Sequence, residues 1–111
     1  MSRRLPPASW VAELRHFTAR NAGRVVALEV DDPELGAQQP QAGLALRGVA
    51  YDPHDRRVEI MLGGLLGAGV HFTHTVGPVC DMDLLSYAGG RDRVLRVAAE
   101  GGQTLLRFLP A

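Results

Sequence analysis

The stretch Arg57–Leu62, Arg-Val-Glu-Ile-Met-Leu, has the alternation that a half-buried β-strand requires. Val58, Ile60 and Leu62 fall on one face of such a strand, and the residues between them fall on the other. Similar short segments, each closed by Gly, Pro or Asp, recur from Arg24 to Leu109. Together with this stretch, the predicted strands are Val25–Val30, Leu44–Tyr51, Val70–Val76, Asp81–Tyr87, Val94–Ala99 and Thr104–Leu109.

One helix is predicted ahead of these strands. Ser9 is a suitable N-cap, and Trp10, Leu14 and Phe17 follow at the spacing of a single apolar stripe. Asn21 or Gly23 can adopt the left-handed conformation that ends a helix. A helix of about three turns is marginal alone, so its stripe is expected to pack on the sheet.

The pattern therefore predicts one α+β domain over residues 9–111, preceded by a loose N-terminal arm over residues 1–8. The N-terminal helix is expected to pack on a strongly bent, mostly antiparallel sheet, or a partly open barrel, of about seven strands. A chain of 111 residues leaves no room for a second domain of ordinary size.

Composition and charge narrow the classes of function. The 12 basic residues are all Arg and are balanced by 12 acidic ones, so no net field attracts a polyanion and nucleic-acid binding is not expected. The exclusive use of Arg is consistent with phosphate or carboxylate recognition, but codon bias in a GC-rich genome is the favoured explanation, since Ala, Gly and Leu are abundant too. No apolar run reaches the roughly 20 residues of a membrane span, and Cys80 has no partner for a disulfide. We expect a soluble cytoplasmic protein.

Residues with catalytic chemistry concentrate between His71 and Asp83. This segment contains two imidazoles (His71 and His74), the Cys80 thiol and two carboxylates (Asp81 and Asp83). Such groups could form a metal site or a nucleophile with its base. Residues three apart on a strand point to opposite faces, so the two histidines are not expected to chelate one ion. The histidines and carboxylates are thus weak metal candidates, and no cofactor is predicted.

His74 is the candidate catalytic residue of this cluster. It shares the predicted apolar face with Phe72 and Val76, which favours a neutral core imidazole bonded to the backbone or to a hydroxyl over a general base. Asp81 and Asp83, two apart on one face, could share a proton or hold a cation, but an exposed acidic sheet edge is the ordinary interpretation. Asp81 also makes its neighbour Cys80 a poor nucleophile.

The connection Gly63–Gly69 is glycine-rich but lacks the Lys-Ser/Thr ending of a phosphate-binding loop, and it joins two strands. It is predicted to be a hairpin loop. Leu65 and Leu66 at its tip are candidate interaction residues, through which the chain could self-associate or bind a protein partner.

Several short motifs follow one another along nearly the whole chain. They are Trp10 in the opening helix, Gly23–Val30, Leu46-x-Gly48-Val49-x-x-Asp52, Gly63-Gly64, Thr73-His74-Thr75-Val76 before Pro78, and Gly102-x-Thr104-Leu105-Leu106-x-Phe108. Together these motifs resemble a family of small bacterial proteins of unknown function, and that resemblance implies no activity.

A fainter resemblance, carried by Gly23–Val30 and Leu46–Asp52, is to Sm-like RNA-binding barrels. Asp52–Asp55 lacks the Asn that such barrels use in the uridine pocket, so the likeness favours a bent barrel more than RNA. An RNA-binding alternative predicts a contiguous Arg face formed by Arg91, Arg93, Arg96 and Arg107.

These observations favour a non-enzymatic interaction or small-ligand-binding module that could self-associate through an edge strand or through Leu65 and Leu66. Two alternatives stay open. One is a metal-assisted enzyme that uses His74 with Asp81, Asp83 or Cys80, and the other is the Sm-like RNA-binding barrel.

Overall fold

The computed structural model describes residues 1–32, 36–37, 41–64 and 71–110. Helix α1 spans Trp10–Asn21 and follows a 3₁₀ turn at Pro7–Ser9. Ser9 is the N-cap residue as predicted, but its hydroxyl donates to the Pro6 carbonyl oxygen at 2.8 Å and caps no helical N–H. The apolar stripe of Trp10, Leu14 and Phe17 is buried, which confirms the predicted face of the helix.

The described strands are β1 (Ser2–Arg4), β2 (Val25–Asp32), β3 (Gly36–Ala37), β4 (Gln41–Asp52), β5 (Arg57–Gly63), β6 (His71–Val76), β7 (Val79–Ser86), β8 (Asp92–Ala99) and β9 (Gly102–Phe108). All of them belong to one antiparallel sheet, whose main path runs β1-β7-β8-β9-β2-β4-β5-β6 with β3 paired to β2 at the side. As the described residues form it, the sheet is not closed, and β1 and β6 are the two ends of this path. The predicted α+β class is confirmed, and the strand count exceeds about seven because the alternation does not predict β1 and β3.

The N-terminal residues are not a loose arm, contrary to expectation. Strand β1 pairs with β7, with Arg4 opposite Asp83. Leu5 is only 2% exposed and its N–H donates to the Met82 carbonyl oxygen at 2.9 Å. Arg3 forms an ion pair with Glu13 of α1, so this segment is held by the sheet, the core and the helix together.

The core lies between α1 and one face of the sheet. Val58, Ile60 and Leu62 are buried there as predicted, and Phe17 of the helix packs on Phe108 of β9 with ring centroids 5.7 Å apart. Phe72 departs from the prediction: it is 36% exposed because β6 is an edge strand and carries less of the core than an inner strand does.

The end of α1 is fixed to β8 by a buried polar contact. Asp92, 6% exposed, accepts a hydrogen bond from Asn21 Nδ2 at 2.6 Å and one from Arg20 Nε at 3.0 Å. Asn21 Nδ2 also donates to the Phe17 carbonyl oxygen at 2.9 Å. This contact holds the helix axis in place relative to the sheet, and with it one side of the site described next.

Candidate functional site

Helix α1 contacts strand β4 beside a β-bulge. The pairing of β4 with β5 changes register between Leu46 and Gly48, an irregularity that a glycine inside a strand pattern predicts. Oγ1 of Thr18, on α1, accepts the N–H of Val49 at 2.9 Å and donates to the Val49 carbonyl oxygen at 3.0 Å. One hydroxyl therefore bonds to both backbone groups of Val49 and sets the distance between helix and strand.

A groove of about 450 Å³ lies beside this contact, between α1 and β4. Its size is in the range of roughly 300–1,000 Å³ that small-molecule sites occupy. We call it the α1–β4 groove. It is lined by Val11, Arg15, Thr18, Arg47, Gly48, Val49, Ala50, Tyr51 and Met61.

The apolar part of the α1–β4 groove is open because Gly48 has no side chain. A Cβ at this position would lie 3.4 Å from both the Met61 methyl carbon and the Thr18 methyl carbon. Tyr51 forms another part of the wall and is held by an edge-to-face contact with the buried Trp10, with ring centroids 5.0 Å apart. Val11 is 41% exposed, so apolar surface at the mouth of the groove is accessible to a ligand.

Two guanidinium groups give the groove its charge. Arg15 and Arg47 are exposed, and within the described residues neither forms an ion pair with a carboxylate. Arg47 donates to a neutral group, the Gly64 carbonyl oxygen, at 3.2 Å. Arg4 and Arg96, by contrast, are paired with Asp81. An apolar groove with two positive charges that no described carboxylate compensates suits an amphipathic anion.

His74 lines a second and smaller cavity of about 170 Å³, which also contacts Asp31 and Gln103. The side chain is half-buried, and its Nε2 lies 3.5 Å from Oγ1 of the buried Thr104. Burial lowers the pKa of His74 below its ordinary value, which favours the neutral imidazole. Asp31 lines the same cavity, but no described carboxylate hydrogen-bonds to this imidazole, whereas a catalytic histidine is usually oriented by such a partner.

The other candidates from the His71–Asp83 cluster lie elsewhere. His71 is exposed. Asp81 is bound by Arg4 at 2.9 Å, and Arg96 pairs with both Asp81 and Asp83, at 3.5 and 3.3 Å. The two carboxylates are therefore partly buried in ion pairs on an inner strand, which corrects the expected exposed acidic edge. Among residues 1–32, 36–37, 41–64 and 71–110, no three His, Cys, Asp or Glu side chains are grouped to hold a metal ion.

Cys80 lines neither the α1–β4 groove nor the His74 cavity, and it is an exposed free thiol. Leu65 and Leu66 lie outside the described residues. No helix in the described part of the chain is both long enough and apolar enough to cross a membrane.

Three of the four Arg residues proposed for an RNA-binding face form ion pairs or a cation–π contact within the protein. Arg96 pairs with Asp81 and Asp83, and Arg107 pairs with Glu29. The guanidinium of Arg93 stands over the ring of Tyr87, 5.5 Å from its centroid. The neutralised charges on β8 and β9 give little attraction for a phosphate backbone.

Sequence reasoning missed Arg15 and Arg47 as site residues. Arg15 lies in the middle of α1, where its position in the sequence indicates only a cation on the helix. Val11, Arg15 and Thr18 are spaced at i, i+4 and i+7, which places them on one face of the helix, beside the buried stripe. This second periodicity is the signal in the sequence that could have identified one wall of the groove.

A family model described as "Family of unknown function (DUF5335)" matches residues 1–110. The match covers nearly the whole chain, so the chain belongs to this family, which confirms the resemblance to a family of unknown function. No curated protein and no solved structure matches the chain.

Proposed function

We propose that this chain is a non-enzymatic binding module whose α1–β4 groove takes a small amphipathic molecule with a carboxylate group. The observation that carries the proposal is the pair of cations, Arg15 and Arg47, in an apolar groove of about 450 Å³ without a described carboxylate partner. The single exposed thiol, Cys80, fits a reducing cytoplasmic setting, which we include in the proposal.

The chemistry of the groove selects the ligand class. A guanidinium group offers two parallel N–H donors that match the two oxygens of a carboxylate, and such charge-assisted bonds contribute about 1.5–3 kcal/mol each. The Val11 and Met61 side chains offer apolar contact to a chain or ring carried by the same molecule. The ligand therefore has one acidic end and one apolar end.

The walls of the groove support a preformed site. Thr18 bonds to both backbone groups of Val49, and Tyr51 is held against the buried Trp10. A ligand that enters a site with fixed walls loses less of its binding free energy to ordering of the protein. We expect little change of backbone structure on binding.

Isothermal titration calorimetry with decanoate, and with decanol as the uncharged comparison, tests the proposal. We expect saturable binding of one decanoate per chain and at least tenfold weaker binding of decanol. Arg15→Gln and Arg47→Gln should each lower the affinity for decanoate at least tenfold, which corresponds to about 1.4 kcal/mol of binding free energy. Arg91→Gln is the matched control, because Arg91 is exposed and lies outside the groove.

Two results would contradict the proposal. The first is the absence of saturable decanoate binding by the folded wild-type chain. The second is equal binding of decanoate by wild type and both groove variants, which would place any binding elsewhere on the protein.

The alternatives have weaker support from the geometry. For an enzyme that uses His74, the contact with Thr104 is favourable, but Asp81 and Asp83 are paired with Arg side chains and are not part of the His74 cavity. For an RNA-binding barrel, the charges of Arg96 and Arg107 are neutralised. We therefore base the proposed function on the α1–β4 groove.

A further inference from the structure

Strand β6 is an edge of the sheet, and its outer side pairs with no strand among the described residues. It pairs with β5 alone, from Val58 opposite Val76 to Gly63 opposite His71. In an antiparallel pair the backbone groups of alternate residues point away from the partner strand. Within the described residues, no backbone group takes up the outward-pointing N–H and C=O groups of β6.

The two edges of the sheet differ in how they are defended against pairing with another chain. Strand β1 has only three residues, and its two arginines are bound by Glu13 and Asp81. Strand β6 has six residues, with no Asp, Glu, Lys, Arg or Pro among them. Natural edge strands avoid pairing by being short, charged or interrupted by proline. Of the two described edges, β6 is the one that lacks all of these protections.

The sequence of β6 is complementary to itself when two copies run antiparallel. A two-fold axis through Thr73 places Thr73 opposite Thr73, Phe72 opposite His74, and His71 opposite Thr75 of a second copy. Each pair joins side chains on the same face of the sheet, since sequence positions that differ by an even number share a face. Threonine pairs and aromatic pairs are favourable cross-strand neighbours, and no pair brings carboxylates or guanidinium groups together.

We propose that two copies of this chain form a dimer by antiparallel pairing of β6 with β6, centred on Thr73. The same surface is used by both copies, so the assembly closes at two and does not continue into a fibre. The pairing satisfies the outward backbone groups of β6 and covers Phe72, which is 36% exposed in the single chain. The proposal does not depend on the α1–β4 groove, which lies on other elements.

Disulfide trapping tests both the partner and the register. In a Cys80→Ser background, Thr73→Cys places two thiols directly opposite each other, and opposed residues in antiparallel strands have Cα atoms about 4.5–5.5 Å apart, within disulfide range. Thr75→Cys is the matched control, because Thr75 is also exposed on β6. In the proposed register the two thiols of this control are four positions apart along the strands, about 14 Å.

We expect Thr73→Cys to give a covalent dimer under mild oxidation and Thr75→Cys to remain a single chain. Sedimentation velocity supplies the second measurement. The reduced wild-type chain should have an apparent mass twice the 12.0 kDa of one chain. The Thr73→Arg variant should sediment as a folded single chain, whereas Ser2→Arg, at the other edge of the sheet, should leave the dimer intact. A wild-type chain that stays monomeric, cross-linking by Thr75→Cys alone, or dissociation by Ser2→Arg alone would overturn the proposal.

Discussion

The contact of Thr18 with the β4 bulge gives the most direct prediction about stability. Thr18→Val keeps the shape of the side chain but removes the hydroxyl that bonds to both backbone groups of Val49, which is 2% exposed. A buried backbone group that loses its partner costs about 1–3 kcal/mol. With two groups affected, and some relief from water that enters through the α1–β4 groove, we expect a loss of about 2–4 kcal/mol.

Thr18→Ser is the matched control for this prediction. It keeps the hydroxyl and removes only the methyl group that contacts the Gly48 position, at a cost of about 0.8 kcal/mol for one buried carbon. The serine variant should therefore retain most of the stability that the valine variant loses.

Urea unfolding followed by Trp10 fluorescence measures the difference, because Trp10 is the one tryptophan of the chain and is buried against Tyr51. With a slope of about 2 kcal/mol per molar urea, the midpoint of Thr18→Val should fall by about 1–2 M. A Thr18→Val midpoint within experimental error of wild type would show that the hydroxyl contributes little to stability. A loss of stability in Thr18→Ser as large as that in Thr18→Val would lead to the same conclusion.

The groove, the Asp92 contact and the His74 cavity each give a further prediction. Gly48→Val places methyl groups in the α1–β4 groove and should weaken decanoate binding at least tenfold in calorimetry while the circular dichroism of the fold is kept; unchanged affinity would contradict the groove as the site. Asp92→Ala removes the carboxylate that accepts hydrogen bonds from Asn21 and Arg20, and it should lower the free energy of unfolding, measured by urea unfolding, by about 2–3 kcal/mol. Asp92→Asn keeps an acceptor oxygen and should lose less. Equal losses in the two variants would show that the hydrogen bonds contribute little. Burial lowers the folded-state pKa of His74, so the unfolded chain takes up a proton first as the pH falls below about 6.5, and wild type loses stability there. The His74→Gln variant should lose less stability than wild type between about pH 7.5 and 5.5, a window around the ordinary pKa of histidine. An identical loss in both proteins would argue against a buried neutral imidazole.

Much of the fold could be predicted because alternation reports burial directly. Val58, Ile60 and Leu62 lie in the core as their spacing requires, and so does the helical stripe that begins at Trp10. Strand β1 could not be predicted, because three residues, Ser-Arg-Arg, are too few to show a period. The core position predicted for Phe72 is wrong because alternation gives the face of a residue but not the position of its strand in the sheet.

The candidate site was less predictable than the fold, for a physical reason. Arg15 and Arg47 are brought together only by the packing of α1 on the β4 bulge, and neither residue is a defining position of a motif. The sheet disperses the motif-like cluster at His71–Asp83: His74 faces Thr104, whereas Asp81 and Asp83 bind arginines. Spacing along one strand is informative about faces, but the charge partners come from distant parts of the chain.

The proposed function depends on one idea, that the α1–β4 groove binds the carboxylate end and the apolar chain of the same molecule. Titration of the ¹⁵N-labelled chain with decanoate, followed by amide chemical shifts in nuclear magnetic resonance spectra, tests it at the level of residues. We expect saturable shifts concentrated at Arg15, Thr18, Gly48 and Tyr51, with the β8–β9 turn unaffected. Shifts confined to the surroundings of His74 and Thr104, or no saturable shifts at all, would show that the groove is not the binding site.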